Sequence, residues 1–314
     1  NQMGGGYNYN STEILSFPQI HAWMLSGLEL MPTTGEVDPS RWHDGWKSEF
    51  SHKSEIVQPG YHRVFLDKYH TWVEQTASDR VSFYRFRYTE DAEANILVNL
   101  GGYVSTSTMT GAQVNKKSDT EIEGSFNTVG RIWGGPEKIR IFFALKLEKP
   151  MERFDSWKGE IKKTDVSSLE AEDVSSPRRE KGMSYHDAPT AGVSAYYHVK
   201  RGDELKVKIA ISYTSIENAW ENMESDFNHW DFEKIREEAR DDWNQSLGKI
   251  DVKGGTRDQR VKFYTDLWHT LLGRHKLNDY SGDYPDYTQG EKKGAHTDAS
   301  LQVRKLPSGA DGNP

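Results

Sequence analysis

Cysteine is absent from the 314-residue chain. Disulfides, thiolate chemistry and cysteine-based zinc sites are therefore excluded, although the absence does not choose a compartment. No apolar run approaches the roughly 20 residues that a membrane-crossing helix needs. There is also no basic stripe. Lys and Arg number 40 against 48 Asp and Glu, giving a formal charge of −8, so nucleic acid is not an expected partner. The chain opens on Asn1 rather than Met, as a processed or trimmed piece would. Aliphatic residues are sparse, but 10 Trp, 15 Tyr and 12 Phe are present. Each ring buries a large area, so a sizeable core remains attainable.

Residues 61–214 read as strands. Short β-branched and aromatic runs recur between turn residues: His62–Leu66, Thr71–Gln75, Val81–Tyr88, Asn95–Leu100, Thr120–Phe126, Lys138–Leu147, Val193–Val199 and Leu205–Tyr213. In Val81–Tyr88 one face carries Phe83 and Arg85, the other Tyr84, Phe86 and Tyr88. Many such strands without intervening helices predict a mainly β fold, a large antiparallel sandwich. The sequence assigns residues 1–220 to this sandwich. Residues 158–191 break the pattern. The stretch Lys162–Lys181 is so rich in charge and Ser that it is predicted to bury no apolar surface and to form a mobile excursion.

After residue 215 the period becomes helical. Asp231 caps a run with Phe232, Ile235, Ala239, Trp243 and Leu247 on one face, and Gly248 ends it. Thr256-Arg257-Asp258-Gln259 has the pattern of a capping box, in which Thr and Gln each satisfy an orphan backbone donor of the other. Val261, Tyr264, Leu267, Trp268, Leu271 and Leu272 then share an apolar face, with Gly273 as the stop. Residues 221–255 are assigned to a helical linker and 256–314 to the start of a helical domain. An apolar helix followed by an irregular, Gly- and Asp-rich tail leads to the expectation that this domain continues beyond residue 314.

Few residues suggest chemistry on their own. His21 and Trp23, near Ser26 and Gly27, offer a donor, an acceptor and a flat apolar face suited to a sugar. A core or turn role is the commoner one for such residues. Gly4-Gly5-Gly6-Tyr7 lacks the Lys and Ser or Thr of a phosphate loop. Trp42-His43-Asp44-Gly45-Trp46 reads first as a loop of packed rings and second as a sugar platform. Asp279, Ser281 and Asp283 begin like a calcium loop, but the closing Glu is out of register, so a solvated turn is expected. His269 reads as a helix-packing residue. No carboxylate pair stands out as acid and base, and no Gly-x-Ser-x-Gly occurs.

Taken in order, several segments resemble glycoside hydrolase family 92, the calcium-dependent exo-α-mannosidases. These are Gly6-Tyr7-Asn8-Tyr9; His21 with Leu25-Ser26-Gly27; Leu30–Gly35; Phe50-Ser51-His52-Lys53-Ser54-Glu55 followed by Pro59-Gly60-Tyr61-His62; and Phe263–Leu272. The family usually reads Phe-Ser-His-Thr-His-Leu-Ser-Gly where this chain has Phe17 to Gly27. Only His21, Ser26 and Gly27 keep type, and the His-to-Ser spacing is longer here. The resemblance implies a β-sandwich joined by linker helices to an (α/α)6 barrel, of which only the first helix is present in this chain. It implies inverting hydrolysis of terminal α-mannosides in glycans, with acid, base and calcium ligands in the barrel. No catalytic or metal residue is therefore expected within this chain. Tyr7, His21, Trp23, Ser26 and Gly27 are expected to line part of the sugar pocket. The expected partners are a mannose-containing glycan and the chain's own C-terminal helical domain, and the expected location is secreted or periplasmic. The alternative from a different class is a non-catalytic carbohydrate-binding or scaffolding sandwich. A third reading, a polysaccharide-degrading enzyme acting within its own sheet, requires a groove lined by a carboxylate pair.

Overall fold

The computed structural model describes residues 9–19, 28–104, 107–129, 138–171, 190–272, 276–288, 291–293, 296–298 and 301–307. Two antiparallel sheets face one another. The larger has ten strands, in the spatial order Gly102–Val104, Ser107–Lys116, Glu121–Val129, Lys138–Leu147, Glu204–Ser212, Val81–Tyr88, Thr71–Ala77, Tyr61–Leu66 and Ile56–Gln58, with Ser168–Ala171 also paired to Ser107–Lys116. The smaller has six: Ile161–Lys163, Arg153–Lys158, Ala191–Val199, Ala92–Asn99, Glu29–Thr34 and Phe17–Pro18.

The alternation in Val81–Tyr88 explains why the large sheet is covered on both faces. Side chains of a strand point alternately to opposite sides. Tyr84, Phe86 and Tyr88 join the core between the sheets. Val81 and Phe83 point the other way, into a second cluster with Ala144, Ala210, Met223, Phe227, Phe232 and Ile235. That second cluster is where the helices dock. A four-residue α1 (His43–Trp46) lies in the N-terminal region; α2 (Ile216–Asp226), α3 (Phe232–Leu247) and α4 (Arg257–Leu271) follow the last sandwich strand. Ser215 caps α2, Asp231 caps α3, and Thr256 with Gln259 forms the expected capping box on α4.

Ala144 and Ala210 are small, which lets α2 approach the sheet closely. Around this apolar patch runs a polar belt. Arg85 donates from Nε and Nη2 to the two oxygens of Glu74, both at 2.9 Å, and from Nη2 to Glu233 of α3 at 2.8 Å. Tyr61 donates to Glu74 at 2.6 Å. Burial alone would raise the Glu74 pKa, but these hydrogen bonds outweigh it and hold the carboxyl below its usual range.

Two sequence expectations need correction here. The stretch expected to be a mobile excursion contains the strands Ile161–Lys163 and Ser168–Ala171. It does bury apolar surface, because Leu169 and Ala171 alternate with exposed Ser168 and Glu170 and enter the core. Residues 172–189 lie outside the described ones. Asp279 is not in a solvated turn: only 2% of it is exposed.

Candidate functional site

Gln19 and Leu28, the described residues on either side of positions 20–27, are paired with each other. Gln19 donates its backbone N–H to the Leu28 carbonyl at 2.7 Å, and its side chain bonds the hydroxyl of Tyr84. Tyr7, His21, Trp23, Ser26 and Gly27 themselves lie outside the described residues. The described residues nearest to them in sequence form a floor of their own at this end of the small sheet.

That floor is built on Glu29. Its carboxylate is buried and accepts from Ser16 Oγ at 2.8 Å, Asn99 Nδ2 at 2.6 Å and His43 Nε2 at 3.1 Å. Glu29 and Asn99 are register partners on adjacent strands, and Asn99 is in turn opposite Gly192. A Cβ at Gly192 would lie 2.4 Å from the Trp157 ring, so only glycine lets that indole lie flat on the strand. Trp46 packs beside Trp157, with ring centroids 6.3 Å apart.

The Trp42–Trp46 loop supplies the remaining wall. Trp42 stacks on His43 at 3.6 Å between centroids, and Trp46 meets His43 edge-on. Both indoles are buried, in agreement with the packed-ring reading over a sugar platform. The loop closes tightly enough that a Cβ at Gly45 would meet the Asp38 carbonyl oxygen at 1.8 Å. Sequence reasoning missed Glu29. It sits in Leu28-Glu29-Leu30-Met31 and looks like an outward-facing strand charge; its only signal is the alternation that sets it apart from Leu28 and Leu30.

Chemically, this floor supports rather than reacts. Glu29 is satisfied by fixed protein donors and His43 is turned onto it, so neither is arranged as a general acid or base. The same is true of Asp279. Its carboxylate accepts from Ser212 Oγ at 2.8 Å, from Asn222 Nδ2 at 2.7 Å and from the Thr214 hydroxyl. Burial raises its pKa and those hydrogen bonds offset only part of the effect. Such a donor shell does not suit a calcium ion. Among the described residues, no group of three or more His, Asp or Glu is placed to hold a metal.

A groove of about 730 Å³ lies elsewhere, between α4 and the strand Ile56–Gln58, lined by Val57, Leu247, Val261, Tyr264, Trp268 and the two arginines 257 and 260. No carboxylate lines it, so the self-contained polysaccharide-degrading reading lacks its required pair there. His269 stands at the groove and is exposed, not packed in a helix interface.

Comparison with known proteins decides the family. Residues 1–212 match the glycosyl hydrolase family 92 N-terminal domain, and residues 218–301 match the catalytic domain of the same family. The chain belongs to glycosyl hydrolase family 92. Among solved structures, the fold is similar to a family 92 α-mannosidase of Bacteroides thetaiotaomicron in complex with mannoimidazole. The TM-score is 0.77 and the identity 21%, over 97% of this chain and 38% of that one. A family 92 inverting mannosidase from the same organism matches with a TM-score of 0.73 and 19% identity, over 95% of this chain and 37% of that one. A curated relative, an uncharacterized secreted glycosidase of Arthroderma benhamiae, is 30% identical over 86 residues, which is 26% of this chain and 11% of the relative. The chain therefore spans less than two-fifths of the length of these two solved structures and about a tenth of the curated relative. No described helix is long and apolar enough to cross a membrane.

Proposed function

We propose that this chain is the sandwich portion of a secreted or periplasmic exo-α-mannosidase that removes terminal α-linked mannose from glycans with inversion. The observation that carries the proposal is the joint family match: the N-terminal domain over the sandwich, then the beginning of the catalytic domain over α2 to the C-terminal hairpins. In this reading residues 1–220 form the sandwich and residues 221–255 a helical linker, while the two family matches meet between residues 212 and 218. Residues 256–314 would begin the helical catalytic domain.

In this reading the sandwich lines one side of the sugar pocket through Tyr7, His21, Trp23, Ser26 and Gly27. An inverting glycosidase needs a general acid on the leaving oxygen and a general base holding water, with space between them for that water. Glu29 and Asp279 are buried and held by protein donors, so neither is given either role; by resemblance to the family, the acid, the base and the calcium ligands are assigned to the helical domain. Supporting this, α4 has an apolar face but no buried residue.

The test is an assay on an aryl α-mannoside with calcium. The 314-residue chain is expected to show no turnover. A polypeptide extended through the complete helical domain is expected to release the β-anomer first and to lose activity with a chelator. Turnover by the 314-residue chain would overturn the placement of the catalytic groups. An inactive extended polypeptide that still binds mannosides would favour the carbohydrate-binding alternative.

A further inference from the structure

The Phe50–Glu55 and Pro59–His62 motifs play no part in the pocket just described, yet they make an unusual constellation. Glu55 has a nearly buried side chain, 4% exposed, and two imidazoles converge on it. His52 Nδ1 lies 2.7 Å from Oε2, and His62 Nε2 lies 3.0 Å from Oε1. The other ring nitrogen of His52, Nε2, lies 3.1 Å from the backbone carbonyl of Ser11. Carboxylates and carbonyls only accept hydrogen bonds. A neutral imidazole carries one N–H and so can serve only one of these partners, whereas the imidazolium serves both. His62 makes a single hydrogen bond to the carboxylate, for which one N–H is enough.

What the His52 ring holds is the N-terminal segment. Tyr9 stacks on it at 4.4 Å and 16°, and Phe50 meets it edge-on at 4.8 Å. Residues 9–12 are exposed. Further attachment comes from Phe50 N–H to the Thr12 carbonyl at 3.1 Å, a two-residue pairing of Glu13–Ile14 with Ser48–Glu49, a Lys47–Glu13 ion pair at 3.2 Å and Ile14 packed against the core. Lys47 and Glu13 are paired with each other. Among the groups facing the clasp are Glu55, His62 across it, and the ring and backbone carbonyl of Tyr9.

We propose that His52 is a proton-operated clasp: as imidazolium it bridges Glu55 and the Ser11 carbonyl and fastens residues 9–14 to the 48–55 turn, and on losing its proton it lets that segment go. The hydrogen bond that His52 donates to Glu55 pushes the His52 pKa above its ordinary value, which places the release on the alkaline side of an unperturbed histidine. The sign follows directly. A raised histidine pKa contributes attachment that is complete at acid pH and is lost as pH climbs through the folded value.

The experiment uses the full chain. Amide hydrogen exchange of residues 9–14, corrected for intrinsic rates, is compared at about pH 5.5 and about pH 8.5, beside an NMR titration of the His52 ring. Protection is expected to fall severalfold at the higher pH, with the same midpoint as the ring. E55Q removes the charge that favours the imidazolium. It is expected to move both midpoints down by about one pH unit, a tenfold change in proton affinity. H52F keeps the ring stack and is expected to give low protection at both pH values. If H52F fails to fold, E55Q alone decides. Equal wild-type protection at both pH values, or an E55Q midpoint that stays in place, would overturn the proposal.

Discussion

Lys208 projects from the strand Glu204–Ser212 into the interface with α2 and the loop after it. Its ammonium lies 4.4 Å from the Trp230 ring centroid, 4.9 Å from Phe227 and 5.8 Å from Phe83, and its hydrogen bond goes to the Phe227 carbonyl at 3.4 Å. Burial, reinforced by nearby Lys146, lowers its pKa to about 8. Ring faces attract the cation but do not replace its water. Between about pH 8 and the unfolded value near 10.4 the unfolded chain binds more protons, so this residue makes stability rise with pH across that window. Lys208→Met keeps the stem and removes the charge. It is expected to stabilise the fold by about 1–3 kcal/mol at neutral pH and to flatten the alkaline rise. Urea unfolding at pH 7 and in the alkaline window checks both expectations.

The helices differ in what they bury, and that difference shows what the sequence could reveal. Ile235 of α3 is 2% exposed against the large sheet, and Ile235→Ala is expected to cost about 2–4 kcal/mol. Val261 of α4 is 52% exposed, and Val261→Ser in the same chain is expected to change stability by about 0.5 kcal/mol or less. Chemical denaturation of the two variants side by side measures the contrast. Both helices were legible from their caps and periodicity, because those signals are local. The strands were legible where period-2 alternation ran long, as in Val81–Tyr88 and Lys138–Leu147. They were hidden where pairing depends on a distant partner. Ser168–Ala171 offers just Leu169 and Ala171 as apolar residues, and Glu29–Thr34 carries a proline and three polar residues on its way through the small sheet. The expected sugar-lining residues Tyr7, His21, Trp23, Ser26 and Gly27 came from family resemblance and lie outside the described residues. The Glu29–His43–Asn99 contact joins residues far apart in sequence, so no local pattern could announce it.

At the scale of the whole molecule, Asp279 holds the segment after α4 to the end of the sandwich. Ser212 and Thr214 reach it from the exit of the last sandwich strand and Asn222 from α2, while the Tyr280 N–H donates to Asn222 Oδ1 at 2.7 Å. Asp279→Ala strands three buried donors. It is expected to cost about 3 kcal/mol and to speed proteolytic cleavage within residues 276–288, read by mass spectrometry. The order of strands carries a further consequence. Glu204–Ser212 is the last sandwich strand to be synthesised, yet it lies between Val81–Tyr88 and Lys138–Leu147. Until it arrives, the large sheet exists as two halves with nothing between them, each with a bare hydrogen-bonding edge. A ribosome adding roughly 5–20 residues per second keeps those edges open for on the order of ten seconds. During that interval the nascent chain is a ready partner for any other unpaired strand, and expression at lower temperature or with a holding chaperone is the condition that favours correct closure.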